Sequence, residues 1–241
     1  MSSFYALIIG ASSTIAKAAI RKFEENSSCL GVFAVSRSLY VPTESTKTTY
    51  LECDNTESGI SEVCQILAPV AGRITKVLIC NGILHDESIM PERKLEEIRA
   101  SQLEAVFHAN SVVPMLWLSQ LLPILQGDRN TQVALFSARI GSISDNKTGG
   151  WYSYRASKAA LNMLIQTSSV EYARRAKNVK LISFHPGTTD TPLSKPFQRS
   201  VPKDKLFSAD FVATQLLSIM EHVKMDNKAA YLDWNNQPIE W

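Results

Sequence analysis

At 241 residues, 45% hydrophobic and 20% charged, the chain is long enough to bury a sizeable core in one α/β domain. A net charge of +2, with Lys and Arg scattered along the sequence, leaves no basic stripe for nucleic acid. Met1-Ser2-Ser3 runs into an apolar segment without a basic lead, and no continuous apolar stretch of about 18 residues is read, so the expectation is a cytoplasmic protein with no membrane contact.

Taken in order, the elements alternate. Residues 4–9 form an apolar run suited to a strand buried on both faces, followed by a helix over 14–26 and a strand over 30–36. The pattern predicts a strand over 48–53, a helix over 57–69, a strand over 74–80, one long helix over 95–125 and a strand over 132–137. A helix follows from Tyr154 to about Ala176, then a strand over 179–184, a helix over 208–222 and a last strand over 229–233. Alternation of this kind predicts one doubly wound domain over 1–241, with a parallel sheet of about seven strands covered by helices on both faces. The four cysteines, Cys29, Cys53, Cys64 and Cys80, have no C-x-x-C pair and no His at ligand spacing, so free thiols are expected and no metal site.

A ligand of such a sheet belongs at the carboxyl ends of the strands, where the order reverses. After the first strand, Gly10-Ala11-Ser12-Ser13-Thr14-Ile15-Ala16 leads into a helix whose free amides and dipole suit a pyrophosphate, with Gly10 making the turn; it can also be a plain strand-to-helix turn. The second strand ends at Arg37 with no acid nearby. An arginine there pairs with the 2′-phosphate of NADP, where an acid would bind the ribose of NAD, or it is an ordinary solvated charge. Asp54, past the third strand, either accepts from an adenine amino group or caps the helix behind it.

Tyr154-Arg155-Ala156-Ser157-Lys158 places a phenol and an ammonium one helical turn apart on the same face. A fixed positive charge favours the phenolate, so Lys158 is expected to lower the Tyr154 pKa towards neutrality; a surface pair of no consequence has the same spacing. In the long helix, Pro114 stands four residues after Asn110 and cannot donate to the Asn110 carbonyl. That carbonyl can hold a water linking Lys158 to solvent, or the proline can simply kink the helix.

The segments 141–145, 149–162 and 185–191, reading GSISD, GGWYSYRASKAALN and HPGTTDT, resemble the short-chain dehydrogenase/reductase family, in its C-factor and sniffer-like carbonyl reductase branch. The resemblance extends over essentially the whole chain. It implies a Rossmann-type fold, a nicotinamide cofactor and a small-molecule carbonyl or alcohol substrate. It implies Tyr154 as acid/base, Lys158 as partner of the phenol and the nicotinamide ribose, and Asn110 as the helix residue of the catalytic set. Gly10, Ser12, Ser13, Thr14, Ile15, Asn81, Gly82, Pro186, Gly187, Thr189 and Thr191 are implied in cofactor binding, alongside Arg37, Asp54, Tyr154 and Lys158. Thr14 and Ala16 depart from the usual phosphate-loop glycines, Ile79-Cys80-Asn81-Gly82 departs from Asn-Asn-Ala-Gly, and Ala138 stands where a serine normally polarises the carbonyl.

Ser137, at the end of its strand, is the expected substitute for that serine, although strand alternation turns it away from the face of Ala138; Ser142 is the other candidate. Trp151, Tyr152 and the loop 192–207 are expected to wall the substrate. That loop carries Lys195, Arg199, Lys203 and Lys205, which either attract an anionic substrate or are simply solvated. The expectation is an NADP(H)-dependent carbonyl reductase or alcohol dehydrogenase, NADP(H) favoured over NAD(H), forming a homodimer or homotetramer. The alternative is a dinucleotide-binding signalling or sensor protein that keeps the fold without turnover.

Overall fold

A computed structural model describes residues 3–38 and 47–241. Met1 and Ser2, on which the reading of the N-terminus partly rests, lie outside the described residues. The strands are β1 (Phe4–Ile9), β2 (Cys29–Ser36), β3 (Thr48–Glu52), β4 (Ile74–Ile79), β5 (Thr131–Phe136), β6 (Val179–His185), the short β7 (Thr188–Thr189) and β8 (Leu206–Phe207), and β9 (Ala230–Asp233). The α-helices are α1 (Thr14–Glu25), α2 (Glu57–Leu67), α3 (Ala100–Phe107), α4 (Val113–Leu125), α5 (Tyr152–Arg175) and α6 (Ala209–His222).

The main sheet has seven strands, all pairs parallel, in the order β3-β2-β1-β4-β5-β6-β9. The order reverses between β1 and β4, which opens a crevice at their carboxyl ends. Each strand sends alternate side chains to opposite cores. Leu7, Ile9, Val77, Ile79 and Leu135 pack with Trp117, Leu118, Leu161 and Ile165 of α4 and α5, while Ala6, Ile8, Leu78, Ile182 and Phe184 pack with Ile15, Ile20, Val212 and Leu216 of α1 and α6. That double burial explains why the strands read as continuous apolar runs; each fully buried Leu or Ile contributes ~1.5–3 kcal/mol.

The predicted helix over 95–125 is not continuous. Leu95–Glu97 is a single 3-10 turn, Ile98 and Arg99 are extended, and between α3 and α4 the residues His108–Val112 form a π turn in which the Val113 N–H reaches back to the His108 carbonyl. Pro114 removes the donor that would continue the α ladder to Asn110, so the extra residue is accommodated there. The helical stretch Ala100–Leu125 also passes a test of length and apolarity for crossing a membrane, which the sequence reading had not recognised; half of it is buried in the fold, and α4 lies on the sheet as a core helix. Lys180 is buried and pairs with Asp226 at 2.6 Å near the far end of the sheet. All four cysteines are free, Cys29 and Cys53 buried and Cys64 and Cys80 half-buried.

Candidate active site

A cavity of about 770 Å³ occupies the crevice, bounded by the start of α1, the ends of β4, β5 and β6, the start of α5 and the loop after β7. Its floor is set by backbone. Gly10 turns with φ +78°, and a Cβ there would stand 3.1 Å from the Cys80 carbonyl carbon, so β1 and β4 can diverge only around a glycine. The N–H groups of Gly10 and Ala11 both go to the Val35 carbonyl, at 3.0 and 2.9 Å. Gly10 therefore shapes the loop from outside the cavity wall, while Ser12, Ser13, Thr14 and Ile15 line it. Ser13 caps α1 by accepting from Ala16 N, which leaves the first turn of the helix facing the cavity.

Arg37 and Asp54 do not line the cavity. Arg37 is exposed just beyond β2, close before the undescribed residues 39–46. Asp54 accepts from the Thr56 N–H and hydroxyl at 2.9 and 2.7 Å, and Thr56 in turn caps α2. Of the two readings for Asp54, the geometry displays the helix-entry role; those hydrogen bonds hold its carboxyl below the usual range.

Tyr154 and Lys158 both line the cavity, Tyr154 half-buried and Lys158 only 3% exposed. The ammonium donates to the Phe136 carbonyl at 2.8 Å and lies 5.8 Å from the centre of the Tyr154 ring. Desolvation dominates both groups. Burial pushes the Tyr154 phenol up and the Lys158 ammonium down to about 7. The phenol is thus raised where the expectation had the lysine lower it, and the cause is the removal of water from the pocket.

The start of α5 is held from three sides. Asn110, fully buried in the π turn, accepts from Ile83 N at 2.7 Å and donates to the Ile83 carbonyl and to Ser157 Oγ at 2.9 and 3.0 Å. Ser111 Oγ donates to the Ser157 carbonyl at 2.6 Å, and Ser157 Oγ donates to the Tyr154 carbonyl at 2.9 Å. The loop after β5 presses on the other side, where a Cβ on Gly141 would stand 2.7 Å from the Lys158 Cβ. At the tip, Glu92 takes the place of a local cap. Its carboxylate accepts from Ser153 N at 3.1 Å and from the Ser153 hydroxyl, and its carbonyl accepts from Trp151 N at 2.5 Å. Trp151 is left-handed, φ 54°, a conformation that costs an L-residue ~1–2 kcal/mol and that Glu92 helps to hold.

The serine expectation meets a committed hydroxyl. Ser137 donates its only proton to Asn162 Oδ1 at 2.7 Å, beside Ser183, which donates to the same oxygen at 2.8 Å. Ser137 lines the cavity on the α5 face that it shares with Leu135, so it is the engagement of its hydroxyl with Asn162, and not strand parity, that counts against it. Ser142 stands outside the cavity wall, accepting from Asp145 N at 3.2 Å and sharing a contact with Ser144. Ala138 presents its methyl group to the cavity wall and its carbonyl to the Tyr231 hydroxyl at 2.6 Å.

Asn81, Gly82, Pro186, Gly187, Thr189 and Thr191 all line the cavity, and the Asn81 Oδ1 is buried with no partner. Gly187, φ +69°, lies so tightly between Phe207 and Trp234 that a Cβ would be 2.7 and 2.8 Å from their rings. The strands β7 and β8 pair there and pin both ends of the loop between them. From that loop Pro192, Leu193, Phe197 and Val201 face the cavity, and the Phe197 ring lies 4.9 Å from Trp151 and 5.6 Å from His85. Trp151 lines the cavity as expected; Tyr152 does not, nor do Lys195, Arg199, Lys203 and Lys205. Lys195 lies 3.5 Å from Asp190, so the lid cations give no anion site in the wall.

The crevice fits a dinucleotide: an open helix N-terminus at one end, an orphaned Asn81 oxygen and a desolvated ammonium at the other, and a glycine-built wall between. Comparison with known proteins agrees with this shape. A family profile described as short chain dehydrogenase matches residues 5–201. The chain is 26% identical to "C-signal" of Myxococcus xanthus over 147 residues, which are 61% of this chain and 83% of that protein. It is 29% identical to the "Benzil reductase ((S)-benzoin forming)" of Bacillus subtilis (strain 168) over 147 residues, 55% of this chain and 60% of that one. Among solved structures, the carbonyl reductase Sniffer of D. melanogaster superposes with a TM-score of 0.83 at 17% identity, covering 99% of this chain and 100% of that one. The NADPH-bound carbonyl reductase from chicken fatty liver gives 0.84 at 19% identity, with 100% of both chains covered. The chain is a member of the short chain dehydrogenase family, a family of oxidoreductases.

Proposed function

We propose that the protein is an NADPH-dependent carbonyl reductase, folded as one domain over 1–241, in which Tyr154 is the proton donor. The observation that carries this reading is the pairing of Tyr154 and Lys158 at one end of a cavity whose other end is the open start of α1, with Asn110 buried outside the cavity wall and bonded to Ser157 of the helix that carries both. Ser12 to Ile15 would hold the phosphates, Asn81, Gly82 and Lys158 the ribose and nicotinamide end, and Pro186 to Thr191 the amide. When bound, the cofactor supplies hydride to the carbonyl carbon.

The protein's own work is proton supply and exclusion of water. A phenol whose pKa is raised by burial stays protonated in the resting site and has its hydrogen ready for the developing alkoxide. Lys158, held down to about 7, can return a proton to the phenolate near neutral pH. Asn110 fixes the helix that carries both groups; a water at its main-chain oxygen would connect Lys158 to solvent. Trp151 and the Phe197 loop close the mouth, and the largely apolar wall suits a neutral carbonyl compound.

The test is NADPH oxidation by purified protein against aldehydes, ketones and quinones, with Tyr154→Phe alongside. Turnover is expected in the wild type and loss of at least 10²-fold in the variant, with cofactor affinity retained. NADPH binding with no turnover of any carbonyl would instead favour a dinucleotide sensor, the reading to which Ala138 lends weight.

A further inference from the structure

If Tyr154 donates to a carbonyl oxygen, that oxygen gathers charge and a second hydrogen-bond donor is needed to stabilise it. This inference rests on the reductase reading above. Around Tyr154 most polar groups are already engaged. Ala138 offers a methyl, Ser137 gives its proton to Asn162, Ser142 is turned into its own loop, and Lys158 holds the Phe136 carbonyl.

His185 is different. It closes β6 and lines the same cavity as Ala138 and Tyr154. The adjacent ends of β5 and β6 are tied there by the Ser137 N–H on the Phe184 carbonyl at 2.9 Å, so His185 stands level with Ser137, whose hydroxyl is engaged, and one residue short of Ala138. Its Nδ1 is buried without a partner. Burial, with Arg139 adding and Asp233 and Asp145 opposing, pushes its pKa down to about 4, so the imidazole is neutral at physiological pH and carries one N–H. With the hydrogen on Nε2, Nδ1 is the bare ring nitrogen that faces no donor, and Nε2 is the nitrogen able to donate.

We propose that His185 donates from Nε2 to the substrate carbonyl oxygen and so takes the place of the hydroxyl that Ala138 cannot supply. With Tyr154 it forms a two-donor cradle, one donor transferring its proton and the other only polarising the oxygen. The ring is held by the end of β6 and needs no reorganisation as charge develops.

The experiment measures kcat with NADPH and benzil, or phenanthrenequinone, for wild type, His185→Leu, His185→Gln and His185→Leu combined with Ala138→Ser. NADPH titration of each protein reports folding and cofactor affinity. His185→Leu is expected to lose on the order of 10² in kcat with NADPH affinity within threefold; His185→Gln, whose amide nitrogen falls near Nε2, keeps most of the activity; and Ala138→Ser restores at least tenfold to the leucine variant. In the wild type with NADP⁺, the unreactive carbonyl of benzamide should move the His185 Nε2 resonance. His185→Leu within threefold of wild type, no restoration by Ala138→Ser, or an unmoved resonance would overturn the assignment while the reductase reading stands. A wild type that binds NADPH but reduces neither compound nor any member of the wider carbonyl panel overturns both.

Discussion

The Glu92 carboxylate receives the Ser153 N–H at 3.1 Å and the Ser153 hydroxyl across 61 residues of sequence. It does for α5 what a serine or aspartate at the N-cap does for most helices, and it does so at the turn that carries Tyr154. Burial pushes this carboxyl up, but the hydrogen bonds from Ser153 outweigh it and leave the pKa below the usual value. A depressed carboxyl stabilises the fold above its unfolded pKa and ceases to as pH falls through the folded one. Glu92→Ala should therefore cost about 1–3 kcal/mol at pH 7, a loss of several degrees in melting temperature at ~2–4 °C per kcal/mol. Glu92→Gln, keeping one acceptor, should lose less, and its deficit should vanish in acid. Equal melting temperatures for wild type and Glu92→Ala at pH 7 would show the cap to be idle.

Replacing Lys158 is expected to stabilise the fold where replacing Glu92 destabilises it, although stability rises with pH in both cases. The Lys158 pKa is lowered to about 7 in the fold against ~10.4 in the unfolded chain. The folded state then binds fewer protons between those values, so stability rises with pH across that window, and the penalty of burying the ammonium is complete below pH 7. Lys158→Met should be inactive yet more stable than wild type at pH 6 by several degrees, the advantage shrinking by pH 10. Thermal scans at the two pH values check this; a variant less stable at both would mean that the hydrogen bond to Phe136 outweighs the desolvation.

Arg37 is proposed to meet a 2′-phosphate from its exposed place beyond β2. NADPH should bind more tightly than NADH by about 1.5–3 kcal/mol, the worth of a charge-assisted hydrogen bond, and Arg37→Ala should remove the difference. Calorimetry with both cofactors decides it, and equal affinities in the wild type would exclude the role.

A two-fold dimer is proposed through the outer face of α5, where Met163 and Val170, seven residues apart and 66% and 56% exposed, lie on the side away from the sheet. Light scattering should give twice the 26.7 kDa of the chain at micromolar concentration, and Met163→Glu with Val170→Glu should return it to one. A wild type already monomeric would refute the proposal.

The alternation of apolar runs and amphipathic helices made the sheet legible from sequence, because strands buried on both faces leave an unbroken signal. Tyr154 and Lys158 were legible from their spacing along one regular helix, α5, whereas Asn110, in the π turn, was marked by the resemblance and by Pro114 four residues on. Glu92, Ser157 and Asn162 were not. They act through tertiary contacts made 61, 47 and 25 residues from their partners, and no local spacing marks them. The pKa directions of Tyr154 and Lys158 were also out of reach, since spacing reveals charge proximity but not how completely water is removed.

The π turn makes the helix over Asn110 one residue longer than its span requires. Each residue advances an α-helix by about 100°, so deleting a single residue from His108–Val112 would restore regular winding and rotate everything before it by nearly a third of a turn. Val106, now buried, would swing towards solvent, and Asn110 would leave Ser157. The chain can lose or gain residues in surface loops far more readily than here; the spare residue acts as a phase setting, keeping two halves of one helix on different clocks.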